Sequence, residues 1–181
     1  LFKELEKEQA AKNAGQMRHK PLRMMIVGVP NVGKSSLINR MTGRKSAQTG
    51  DRPGVTRGKQ WLALKNGMQL LDTPGILWPK FEDPKAGLNL AFCGSIKDEI
   101  LDTATLAMEL IGVLQQSYPQ LLMERYKLEE IFEQPLETME EIARRRGFIL
   151  PGKRIDYDRC ARTVLDEFRG GKIGRITLER R

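Results

Sequence analysis

The chain has 181 residues, 40% of them hydrophobic and 30% charged, with a formal net charge of +8 and a pI near 9.7. That length fits one compact domain or two small ones, and the apolar share supports a packed core, which excludes a disordered chain. No apolar run approaches the roughly 18–20 residues of a membrane span, and the positive balance favours polyanionic partners: nucleic acid, ribosome or an acidic lipid surface.

Leu1 to about Gln16 is rich in Lys, Glu, Ala and Gln and reads as a surface helix ending near Gly15. Met17 to Pro21 follows as a basic linker holding His19, the single histidine, which reads as a bystander. Leu22 to Gly28 is a short apolar run ending at a glycine, the pattern of a buried parallel strand. Lys34 to Met41 is expected to be helical, with Leu37, Ile38 and Met41 facing the sheet and Gly43 ending it. Arg44 to Gly58 has no periodicity and contains Gly50, Pro53 and Gly54; a connection this long is usually functional or disordered. Trp61–Leu64 and Met68–Asp72 read as a hairpin turning at Asn66-Gly67, placed beside the strand that precedes Gly28.

From Ile96 the pattern becomes helical. Ile96, Ile100, Ala104, Ala107, Ile111 and Leu114 recur at spacings of three and four and predict one helical face packed in a core. Pro135 opens a further helix carrying Leu136, Met139 and Ile142, closed by Gly147. Asp156 caps a last helix whose apolar stripe is Tyr157, Ala161, Val164 and Phe168. The expected domains are therefore 1–95 and 96–181. Cys93 and Cys160 have no metal-ligand spacing and read as reduced structural thiols. No secretory leader is legible, so a cytoplasmic setting is expected; a start at Leu1 rather than Met fits a piece of a longer chain.

Gly28-Val29-Pro30-Asn31-Val32-Gly33-Lys34-Ser35 matches the phosphate-loop pattern G-x-x-x-x-G-K-[ST] at every fixed position. A chance match in a chain this long is on the order of one percent, and the strand before and helix after lower it further. The chemistry is that of a polyphosphate cradle. Gly33 lets the backbone wrap tightly, Pro30 to Ser36 line the nucleotide site with the N–H groups from Asn31 onward forming an anion nest, and the helix N-terminus adds partial positive charge. Lys34 is placed for the β- and γ-phosphates, and Ser35 for Mg²⁺. Asp72-Thr73-Pro74-Gly75 then sets a carboxylate at a strand end, to hold Mg²⁺ through water, and a glycine N–H for the γ-phosphate. Thr56, in the loop between these motifs, is expected to complete the Mg²⁺ shell and to order or release that loop with the γ-phosphate; an ordinary turn is the plainer alternative.

Asn31 to Asn39, Thr49 to Thr56 and the run Leu71-Asp72-Thr73-Pro74-Gly75-Ile76-Leu77-Trp78-Pro79-Lys80-Phe81 resemble the ribosome biogenesis GTPase A (RbgA/YlqF) family, and the resemblance extends through Gly94 to Glu99 and the helical tail. It implies a GTP/GDP switch with Mg²⁺ acting in assembly of the large ribosomal subunit and contacting its rRNA. The implied protein is monomeric off the ribosome and away from membranes, with hydrolysis that is slow until the ribosome stimulates it. It also implies a circularly permuted GTPase domain, since no Asn-Lys-x-Asp guanine-reading motif occurs here and that family carries it upstream of the phosphate loop. Lys34, Thr56 and Gly75 are the implied catalytic residues. Ile76 stands where Ras-like proteins use a water-orienting glutamine, and Asn31 is the loop asparagine associated with K⁺ in related GTPases, a turn-stabilising role being the alternative.

Residues 144–181 hold twelve Lys/Arg against five Asp/Glu, a balance of +7. Arg144, Arg145 and Arg146, together with Arg159, Arg162 and Arg169 projected opposite the last helix's apolar stripe, form the expected RNA-phosphate footprint; a solvated surface is the plainer reading. The fold expected is α/β: a partial P-loop domain followed by an all-helical domain. Two other functions stay open on the residues alone: a non-ribosomal RNA- or membrane-associated P-loop switch, and a non-catalytic RNA-binding fragment.

Overall fold

The computed structural model describes residues 2–15, 20–43, 58, 60–64, 67–77, 83–97 and 102–179. Packing divides the chain into two compact units, Leu1–Pro79 and Lys80–Arg181. The boundary read from the sequence, between 95 and 96, lies later than this division. A helix at Pro84–Phe92 packs on the helices that follow it, so it goes with the second unit.

The first unit opens with α1 (Phe2–Asn13), an exposed helix tied to the linker by Asn13, whose side chain donates to the carbonyl of Lys20 (2.9 Å) and accepts from its N–H (3.2 Å). Strand β1 (Arg23–Ile26) leads into the glycine-rich loop and α2 (Lys34–Thr42), which ends at left-handed Gly43. Strands β2 (Gln60–Ala63) and β3 (Gln69–Asp72) form the expected hairpin, with Gly67 at φ 80° in the turn; Asn66 lies outside the described residues. The sheet order is β1-β3-β2, with β1 parallel and β2 antiparallel to β3.

Ile38 of α2 is fully buried against Leu64, Met68 and Leu70, with Met24, Ile26, Met41 and Leu62 around them. Two expectations shift here. Leu37 is 51% exposed rather than facing the sheet; it lies about 100° round the helix from the fully buried Ile38. Strand β1 is not buried on both faces. Met24 and Ile26 turn toward α2, whereas Met25 is 59% exposed on the other face, where the Arg23 guanidinium lies 5.0 Å over the Trp61 ring.

The second unit is built around α4 (Thr103–Ser117), on which α3 (Pro84–Phe92), α5 (Pro119–Tyr126), α6 (Pro135–Arg146) and α7 (Tyr157–Arg169) all pack. Capping explains the boundaries. Asp83 accepts from the Lys85 N–H before Pro84, Asp102 accepts from the Ala104 N–H, Asp156 accepts from the Arg159 N–H, and left-handed Gly147 closes α6. Ile96 therefore lies outside α4, which the spacing predicts it to open; it packs on the core from the preceding turn, and Ile100 lies outside the described residues. Leu110, Ile111, Leu114, Leu122, Met139, Ile142, Val164 and Leu165 form the core. Leu136 is 44% exposed, one turn too early on α6 to reach it. The predicted stripe on α7 holds at Ala161 and Val164, but Tyr157 is 37% exposed and donates its hydroxyl to Glu140 (2.6 Å). A short hairpin, β4 (Ile149–Leu150) with β5 (Arg154–Ile155), joins α6 to α7.

Glu167 ties three helices together. Its carboxylate is nearly buried and accepts from Arg125 Nε at 2.9 Å and from Arg146 at 3.2 and 3.3 Å. Burial alone pushes this carboxyl up; the Arg125 hydrogen bonds and the two arginine charges outweigh it and hold the group below its ordinary range. A lowered folded value gives stability that is present above the unfolded carboxylate range, about pH 4.3, and is lost as pH falls toward the folded value. Glu167→Gln is expected to destabilise the protein by about 2 kcal/mol at pH 7, with a smaller deficit as the pH drops below about 4. Thermal or urea unfolding at the two pH values checks this; a deficit that grows on acidification contradicts it.

Candidate functional site

The glycine-rich loop leaves β1 after Ile26 and enters α2 at Lys34. Two residues in it are left-handed: Gly33 at φ 87°, where a side chain is strained, and Asn31 at φ 59°, a conformation that asparagine tolerates better than most residues. Gly33 is the N-cap of α2 and supplies no side-chain cap, so the helix starts on backbone donors alone, which suits an anion. Pro30, Asn31 and Ser35 are half-buried, whereas Val32, Gly33 and Ser36 face outward. Lys34 reaches back across the loop, donating from Nζ to the carbonyls of Val29 (2.7 Å) and Gly28 (3.1 Å). Its pKa is lowered by burial, against which the nearby charge of Asp72 acts. The ammonium is thus held inside the loop by two carbonyls.

Asp72 is the last residue of β3, opposite Ile26 of β1 and Gln60 of β2. It is fully buried, and neither carboxylate oxygen has a hydrogen-bond partner within the protein. A buried carboxylate in that condition is costly unless something outside the chain satisfies it. Hydrated Mg²⁺, a hard cation that prefers oxygen ligands and keeps several waters, fits it. Among the described residues no cluster of three or more His, Cys, Asp or Glu side chains gathers to hold a metal, so such an ion has to draw on Asp72, a hydroxyl such as that of Ser35 and the ligand's own oxygens.

The segment after Asp72 is stitched to the loop at three points. The buried Thr73 hydroxyl donates to the Ile26 carbonyl at 2.7 Å. Gly75 meets Pro30 so closely that a Cβ there would lie 2.4 Å from Pro30 Cα and 2.5 Å from its nitrogen, so only glycine fits. The Ile76 N–H donates to the Gly28 carbonyl at 3.3 Å, while its side chain is 70% exposed. Sequence reading missed Thr73 as a contributor; the available signal was a hydroxyl residue directly after a strand and before a proline. Thr56, His19 and the run from Trp78 to Phe81 lie outside the described residues.

The six arginines expected to meet RNA have different surroundings. Arg144 pairs with Glu140 and Glu141, and Arg145 with Glu141 and Glu129. Arg146 serves Glu167 and lies 5.3 Å over the Tyr126 ring. Arg159 stacks 4.7 Å over Phe148 and is exposed, as is Arg162. Arg169 does not point away from the apolar stripe as projected: it reaches inward to the carbonyls of Phe92 (2.9 Å) and Ala91 (3.0 Å), capping α3. Cys93 and Cys160 are unbridged, and burial pushes the Cys160 thiol up to about 12. No helix of the described residues is long and apolar enough to cross a membrane.

A family model described as 50S ribosome-binding GTPase matches residues 23–143, from the first residue of β1 into the last turn of α6. Ribosome biogenesis GTPase A of Bacillus cereus is 48% identical over 179 residues, covering 99% of this chain and 60% of that protein. Two solved YlqF structures are each 28% identical and cover 95% of the chain. One, TM YlqF, is GDP-bound (TM-score 0.60, 66% of its chain), and the other, from T. maritima, is GNP-bound (TM-score 0.57, 65% of its chain). The chain thus spans about 60% of the length of the curated relative. Both phosphate-facing motifs fall inside the family match, and the fold agrees with solved relatives; the chain belongs to the 50S ribosome-binding GTPase family.

Proposed function

We propose that the full-length protein binds GTP with Mg²⁺, hydrolyses it, and uses the GTP/GDP difference to act in assembly of the large ribosomal subunit. The observation that carries this reading is the buried, unpartnered Asp72 carboxylate beside a loop closed by Lys34. The names of the relatives support the ribosomal setting.

In this reading the amides of residues 31–36 cradle the phosphates, and Lys34 exchanges its carbonyl partners for β- and γ-phosphate oxygens. Ser35 and Thr56 offer hydroxyls, and Asp72 a water-bridged carboxylate, to Mg²⁺, which neutralises charge that develops during phosphoryl transfer. The Gly75 N–H faces the γ-phosphate. Ile76 has no polar atom with which to orient the attacking water, so that task falls to the bound ribosome; Asn31 would hold a K⁺ ion, which would offset γ-phosphate charge. Guanine is read by a segment outside these 181 residues. Arg144, Arg145, Arg159 and Arg162 supply phosphate contacts to rRNA, while Arg146 and Arg169 hold the helical core. The protein works as a cytoplasmic monomer off the ribosome.

Lys34→Ala is expected to abolish GTP and GDP binding in the full-length protein, read by calorimetry; retained binding contradicts the site. Asp72→Asn is expected to remove the Mg²⁺ dependence of GTP affinity. It should also stabilise the nucleotide-free protein in EDTA by about 1 kcal/mol, because an unpaired buried charge is gone; loss of stability in EDTA would count against the metal role. Large ribosomal subunits should accelerate GTP hydrolysis where free tRNA and liposomes do not, and replacing K⁺ by Na⁺ should slow it in the wild type but not in Asn31→Ala.

A further inference from the structure

The ladder between β1 and β3 ends at the pair Ile26 and Asp72. Two residues later Pro74 has no N–H to extend it. The Thr73 hydroxyl takes over, donating to the carbonyl of Ile26 at 2.7 Å from a position that is 5% exposed. This bond joins residues 47 apart in sequence at the point where one strand becomes the phosphate loop and the other becomes the segment carrying Gly75. Beyond it, Gly75 sits against Pro30 with no space for a Cβ, and the Ile76 N–H meets the Gly28 carbonyl. Of the three stitches, only the Thr73 bond is made by a buried side chain, so a single isosteric change removes it.

We infer that Thr73 is a positioning residue for triphosphate recognition: its hydroxyl anchors the start of the 73–76 segment to the loop strand, so that the Gly75 N–H is held where a terminal phosphate arrives. The residue touches no ligand itself and acts through Gly75. A diphosphate sits in the loop amides and Lys34 and does not need that N–H. Loss of the anchor therefore weakens GTP and spares GDP. Valine matches threonine in shape and lacks the hydroxyl, which leaves the segment free to drift from Pro30. This inference rests on the reading of the loop as a GTP site.

The test uses the full-length protein and compares affinities for a non-hydrolysable GTP analogue and for GDP. Thr73→Val is expected to lower analogue affinity about five- to tenfold, the scale of one lost hydrogen bond, and to leave GDP affinity within about twofold. Thr73→Ser is expected to restore the ratio. Exchange of the Ile76 amide should quicken in the valine protein while amides of the helical unit are unchanged. Should the valine protein fail to fold, Thr73→Cys, a weaker donor, carries the same comparison with a smaller shift in the same direction. Equal loss for both nucleotides, an unmoved ratio, or failure of serine to rescue overturns the role of Thr73 alone. A wild-type protein that binds neither nucleotide overturns the GTP-site reading itself.

Discussion

The parallel register of β1 and β3 is the constraint from which the site follows. It sets Ile26 opposite Asp72, so that both strands end at one level. The loop leaving one strand and the carboxylate closing the other must then be neighbours. Everything placed near the phosphate loop inherits its position from that pairing: Lys34 through the loop carbonyls, Gly75 through Pro30, and Thr73 through Ile26. Ligands of open α/β sheets bind beyond the carboxyl ends of parallel strands for the same reason. The cost is a buried carboxylate with no hydrogen-bond partner in the protein, which the proposed nucleotide and its cation would satisfy.

The helical unit solves a different problem. It gathers many arginines and has to keep them from repelling one another. Carboxylates at Glu140, Glu141, Glu129 and Glu167 are placed among Arg144, Arg145 and Arg146, and the most buried of them, Glu167, links α5, α6 and α7. The basic surplus is therefore partly structural. A footprint counted from composition overstates the cations that are free to meet phosphate, and Arg169, which caps α3, is the clearest case.

The strand, glycine-rich loop and helix around Gly28–Ser35 and the strand that ends at Asp72 were legible in the sequence, because each fixed position of those motifs answers a chemical demand that few residues meet. The hairpin, the caps at Asp156 and Gly147 and the end of α2 at Gly43 were legible for the same reason. Periodicity was a blunter guide. It identified the correct helices but admitted Leu37 and Leu136 to faces they miss, and it joined Ile96 to a helix that Asp102 starts later. Helices α3 and α5 passed unread although Asp83-Pro84 and Pro119 mark their starts, since their short apolar patterns hold only eight or nine residues. Long-range partners were invisible. Nothing in the local sequence shows that Thr73 reaches Ile26, that Arg125 reaches Glu167, or that one face of β1 stays open.

The most direct test of the central claim is a crystal structure of the full-length protein with a non-hydrolysable GTP analogue and Mg²⁺. The phosphates should lie within hydrogen-bond distance of the amides of residues 31–35, with Lys34 Nζ on the β- and γ-oxygens and one Asp72 oxygen joined to the cation through water. Phosphates bound elsewhere, or an Asp72 carboxylate still unpartnered with the cation in place, would contradict the account.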